Sequence, residues 1–164
     1  MILHALALLI GVVAGLRAMT APAAVAWAAW IGWLPLQDTP LAFLGFTATP
    51  WILTVLAVGE LVTDQLPKTP SRKVPVQFAA RLATGALSGA AIGAAGGAPM
   101  VGAAGGALMA GLLLGLIGAV VGTLGGYEVR ARLARAWGRD LPAALLEDAV
   151  AVGGSALLLG GVLP

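Results

Sequence analysis

Residues 101–126 read V-G-A-A-G-G-A-L-M-A-G-L-L-L-G-L-I-G-A-V-V-G-T-L-G-G. The run carries no charge and no proline. It exceeds the ~20 residues with which a helix crosses a hydrocarbon core of ~30 Å. Its glycines fall four apart, at Gly111 and Gly115 and then, on a second register, at Gly118, Gly122 and Gly126. The preceding run, 76–97, has the same spacing at Gly85, Gly89, Gly93 and Gly97. Small residues at every fourth position let helix backbones approach closely in lipid, where no hydrophobic force drives helices together. The two stripes therefore predict an all-α membrane protein with glycine-lined crossings. They serve packing within one chain, and their number also suggests a homodimer.

The whole chain agrees. Of 164 residues, 60% are hydrophobic and 10% charged, with seven acids, nine bases and a net charge of +2. A soluble domain carries about 25% charged residues. The mean hydropathy is +0.99, so the partner is the lipid bilayer and not nucleic acid. Cysteine is absent, which removes disulfides, thiolate metal sites and a cysteine nucleophile. No metal-ligating, hydrolase, P-loop or dinucleotide motif occurs. No cofactor and no enzymatic activity are expected.

About five spans follow by length: 2–19, 50–66, 76–97, 101–126 and 141–162, in a single domain over 1–164. The segment 21–34, A-P-A-A-V-A-W-A-A-W-I-G-W-L, is short for a span and reads as a re-entrant or interfacial helix that begins after a helix break at Pro22. Trp27, Trp30 and Trp33 suit an aromatic belt. The segment 127–139, Y-E-V-R-A-R-L-A-R-A-W-G-R, has the pattern of an amphipathic helix lying on a membrane surface.

With five spans, the bases of 67–73 and 127–139 share one face. The positive-inside rule makes that face cytoplasmic. This gives a bacterial inner-membrane protein with its N-terminus inside and its C-terminus outside. Were 21–34 to cross fully, the N-terminus would lie outside. A thin internal repeat matches G-V-V-A-G at 11–15 with G-A-V-V-G at 118–122, Trp30 with Trp137 and Pro35 with Pro142. It divides the chain into halves 1–97 and 100–164. Because the first and fourth spans then run in opposite directions, the repeat would be inverted, as in many transporters.

The charges inside the spans are the functional candidates. An ionised group at mid-bilayer costs roughly 2.5–3.5 kcal/mol on insertion scales, so these groups should pair. Glu60, Asp64, Arg81, Glu147 and Asp148 all fall in the cytoplasmic third. Arg81 should meet Glu60 or Glu147, and Asp64 a neighbouring base. Arg17 stands apart, near the outer end of the first span, where it snorkels or meets an anion or carboxylate beside the helix break. Thr20 is placed to cap the helix that follows. Thr69, Ser71 and Arg72, in L-P-K-T-P-S-R, suit a phosphate or lipid headgroup, or serve only as a solvated topology signal with Lys68 and Lys73.

G-L-R-A-M-T-A-P, L-P-K-T-P-S-R and L-L-E-D-A-V-A resemble, over nearly the whole chain, a family of small bacterial membrane proteins defined as a domain of unknown function of the 4126 type. The resemblance marks Arg17, Pro22, Glu60, Pro70, Ser71, Arg72, Glu147 and Asp148 as motif positions. It implies the membrane class and no activity. The expected function is a small transporter or channel for a small solute or ion, with Glu60, Asp64, Arg81, Glu147 and Asp148 lining a cytoplasm-facing path and Arg17 acting from the other side. The alternative is a structural or lipid-interacting protein whose charges are ion-pair clasps.

Overall fold

The structure, a computed structural model, describes residues 1–65, 74–96 and 103–161. Thr69, Ser71 and Arg72, with Lys68, Pro70, Lys73 and Gly97, lie outside the described residues. Within them the chain is helical: α1 Ile2–Leu16, α2 Thr20–Trp30, a 3-10 turn Ala42–Gly45, α3 Ala48–Thr63, α4 Pro75–Ala95, α5 Ala103–Trp137 and α6 Asp140–Gly160. Helices α4, α5 and α6 are long and apolar enough to cross a membrane, while α1 and α3 are shorter apolar helices.

Prolines mark where helices begin. Pro75 opens α4, and Pro22, Pro50 and Pro142 are each the third residue of α2, α3 and α6. In a first turn the missing N–H has no partner to lose. Pro22 is thus not itself the break: the chain leaves the helix earlier, at Arg17, whose backbone is extended (φ −140°, ψ 112°). Past Trp137 the chain turns at Gly138, in the left-handed region (φ +67°), which glycine enters without a steric penalty.

The frame is a triad of α1, α4 and α5. A Cβ at Gly85, Gly89 or Gly93 of α4 would collide with the backbone or side chains of α5 around Ala107, Gly111, Gly115 and Ala119. The second stripe, Gly118 and Gly122, meets α1 backbone at Leu8, Gly11 and Val12. Gly85, Gly89, Gly93, Gly111, Gly115, Gly118 and Gly122 are thus consumed inside the chain, and these positions do not argue for a homodimer.

These contacts also fix direction. Gly11 faces Gly115, and Gly15 faces Ala119 and Thr123, so α1 and α5 run parallel. The inverted arrangement expected for 11–15 and 118–122 is overturned: the matching segments are neighbours pointing the same way. Along α4, rising numbers meet falling numbers on α5, so those two are antiparallel. Trp27 donates from Nε1 to Thr54 Oγ1 at 2.9 Å, while Met19 lies beside Glu60, so α2 and α3 are antiparallel as well. Successive helices alternate. The start of α1 and the end of α6 therefore lie at the same end of the bundle, not at opposite ends as the five-span reading required.

The span 101–126 and the surface helix 127–139 are one helix. With 35 residues, α5 is about 52 Å long at 1.5 Å per residue. It packs in the triad as far as Thr123 and continues about 20 Å further. No proline interrupts it, and Gly125 and Gly126 alone do not stop a helix. Trp27 also departs from the belt reading: it packs edge-on against Trp51 and Trp30 at 5.0 and 5.4 Å between ring centroids, between α2 and α3.

Candidate functional site: a charge network at the α1–α2 turn

Where α1 ends and α2 begins, the chain reverses inside the bundle. Arg17 is 0% exposed and Ala18 5%. Such a turn leaves carbonyls at the end of α1 and N–H groups at the start of α2 without intrahelical partners. In a low-dielectric interior each orphan is costly. The fold answers both with charge.

The carbonyl end is met by Arg81 of α4, 1% exposed. Its Nη1 donates to the Gly15 and Leu16 oxygens at 2.8 and 2.5 Å. Thr123 Oγ1 of α5 donates to the same Gly15 oxygen at 3.2 Å. A cation at a helix C-terminus is also favoured by the helix dipole. The N–H end is met by Glu60 of α3: Ala18 N–H donates to Oε1 at 2.8 Å and Met19 N–H to Oε2 at 2.7 Å. A carboxylate at a helix N-terminus has the matching sign. Thr20, expected as the cap, does not cap α2; a carboxylate 40 residues away in the chain, Glu60, takes that place.

Arg17 itself is ion-paired with Asp64, where α3 ends, and with Asp148 of α6. Arg81 Nη2 approaches Glu60 Oε1 at 3.5 Å and Asp64 Oδ2 at 3.7 Å, so Asp64 is shared between the two guanidiniums. Gln65 Nε2 donates to Asp148 Oδ2 at 3.3 Å. Glu147 turns to the neighbouring helix: its Oε2 is 3.6 Å from Arg130 Nη1. Arg130 also holds Asp140 through two bonds of 2.9 and 2.5 Å, stapling the extension of α5 to the first turn of α6.

Arg81 thus meets Glu60, one of the two partners expected for it, and Asp64 pairs with two bases. Arg17 is where the expectation fails: it is not on the opposite side from the acids but joined to two of them. Its carboxylate-partner reading holds and its snorkelling reading does not. Gln65 and Thr123 are uncharged and carry no signal that sets them apart, and nothing in a side-chain pattern labels the Ala18 and Met19 N–H groups as donors. Among the described residues, no group of three or more His, Cys, Asp and Glu could hold a metal ion.

Three carboxylates from α3 and α6 therefore share two buried guanidiniums from α4 and the α1–α2 turn. α3 is the element most dependent on them. It packs on α2 and on the 3-10 turn, and Trp51, Ile52, Val55, Val58 and Val62 of its outer face are exposed. Compared with family models, curated proteins and solved structures, the chain matches none.

Proposed function

We propose that the protein is a small membrane transporter or channel for an ion or small solute, with the Arg17–Asp64–Asp148–Arg81–Glu60 network as its gate. The observation that carries this reading is the sharing of two buried guanidiniums by three carboxylates at the junction of two helix ends. Ionisable groups within spans commonly mark ion and proton pathways, and interrupted helices whose ends face the site recur in transporters. The described carboxylates exceed the guanidiniums by one, which suits a cation or a proton. Such a species competing for Asp64 or Glu60 would loosen the hold on α3 and let it swing.

In this reading α1 and α2, about 22 and 16 Å long, form a re-entrant hairpin whose tip is the Arg17–Met19 turn. Arg81 lies six residues inside α4, so the tip is about 9 Å from the basic end. Helices α3, α4, α5 and α6 cross. With Arg132, Arg135 and Arg139 on the cytoplasmic side, both ends of the chain lie outside. The resemblance to the family of small bacterial membrane proteins supports an inner-membrane location.

The test is flux of protons, monovalent cations and small anions into proteoliposomes. Glu60→Gln keeps an amide oxygen for one of the two N–H groups, turns an NH2 toward the other and removes the charge, so a lowered melting midpoint is expected. Loss of flux below that midpoint, where the helical signal is unchanged, is the result that favours the gate. A second reading, a non-transporting protein with an ion-pair clasp, is favoured by the complete burial of both arginines. It gains if no tested species crosses and Glu60→Gln melts the fold.

A further inference from the structure

A second feature lies outside the charge network. α3 and α6 both pack on α2, and between them runs a groove of about 490 Å³. Its floor is the Ala24–Trp27–Ala28 face of α2, and Leu61 and Val152 stand on its walls. It extends from Thr20, beside the charge network, to Trp33 at the far end. Two of its hydroxyls are engaged within the protein: Thr54 Oγ1 donates to Pro50 O at 2.6 Å and Ser155 Oγ to Val152 O at 2.8 Å. The third is not. Thr20 is 6% exposed, and its hydroxyl has no hydrogen-bond partner among the described residues. A buried hydroxyl without a partner is costly and calls for one.

We infer that the groove holds one acyl chain of a membrane phospholipid, with an ester oxygen of that lipid at Thr20 and the chain lying along α2 toward Trp33. The apolar length matches: eleven residues of α2 run about 16 Å. The end chemistry argues against a helix from a second copy: the carbonyls along a helix are already bonded within it and bring no acceptor to Thr20. A single extended chain has the needed section and brings an acceptor at one end only, where the unpartnered hydroxyl is. The inference stands independently of the transport reading, since no charged residue of the gate lines the groove.

The experiment is native mass spectrometry of delipidated protein in detergent, titrated with dioleoyl phosphatidylethanolamine. Retention of one lipid per chain is expected. Ala24→Phe fills the floor and should reduce retention to background. Ala156→Phe, at an exposed wall position, does the same without touching the core and serves if the first variant misfolds. Thr20→Val should weaken binding by about two- to tenfold, the worth of one hydrogen bond. Undiminished retention in both phenylalanine variants overturns the inference. So does a disulfide-linked dimer of Ala24→Cys in nanodiscs, clean to read because the chain has no cysteine, since it would seat a second copy there. Ala156 takes no part in the charge network, so Ala156→Phe should lose the lipid while flux and the Arg17 and Arg81 ion pairs are kept, and failure of the gate and failure of the groove are distinguishable.

Discussion

Arg17→Met is expected to destabilise the protein by about 3–5 kcal/mol, the cost of removing one partner from a buried ion pair. The guanidinium is fully buried, and its departure leaves Asp64 and Asp148 without the cation they share, while Arg81 beside Asp64 is already engaged by Glu60 and the α1 carbonyls. The measurement is the midpoint of unfolding in mixed micelles of rising dodecyl sulfate fraction, followed by circular dichroism. Adding Asp64→Asn and Asp148→Asn to Arg17→Met should restore most of the loss, because neutral amides need no cation and buried ion pairs are often replaceable as a set. A loss under about 1 kcal/mol would be the value of a solvated pair and would mean that water reaches the turn. The restored triple variant also separates the two functional readings. If the charges are a gate, the unmodified protein passes the solute and the equally stable triple variant does not. If they are only a clasp, the two are alike in stability and neither passes it.

That experiment turns on Arg17, the charged residue that the structure moves furthest from its expected place. The apolar runs at 76–97 and 101–126 predicted helices, and α4 and α5 lie there. The fourfold glycine spacing predicted close crossings, and those glycines make them. Glu60, Asp64, Arg81 and Asp148 were singled out because charge in lipid needs a partner, and they meet. Arg17 falls on the opposite side only when the spans are counted as five. The positive-inside rule places the loops around 67–73 and 127–139 on one side, but it cannot tell whether 21–34 turns back or crosses. The direction of α1 hangs on that choice. The glycines of α1 held the answer only in combination with their partners: Gly11 and Gly15 match Gly115 and Ala119 in the same order, a parallel register that no single segment reveals. The continuity of α5 was missed for a different reason. The change of polarity at Tyr127 reads as a change of element, whereas a helix ends only where its backbone does, at Gly138 with its positive φ.

Gly115→Leu is expected to leave no folded protein, and Gly115→Ala to cost about 1–3 kcal/mol, the usual range for overpacking. A Cβ at Gly115 would sit 2.9 Å from Gly89 Cα and 3.0 Å from the Gly85 carbonyl carbon, with the Gly85 oxygen closer still. These are backbone atoms of α4, so no rotamer change relieves the clash, and the two helices must separate along the whole stripe. Gly125→Ala and Gly153→Ala are the controls: nothing lies within 4 Å of a Cβ at either position. Both should stabilise by up to about 1 kcal/mol, the helix-propensity difference between glycine and alanine. The same micelle titration reads all four variants. If Gly115→Ala behaves like Gly125→Ala, the α4–α5 crossing is looser than its geometry and the triad is not the rigid frame. If it falls as expected, backbone contact among α1, α4 and α5 holds the frame, while α3 is tied to it through Glu60 and Asp64 and to α2 through Trp27. In the proposed gate it is the ionic ties of α3, and not the glycine-lined crossings, that have to give way.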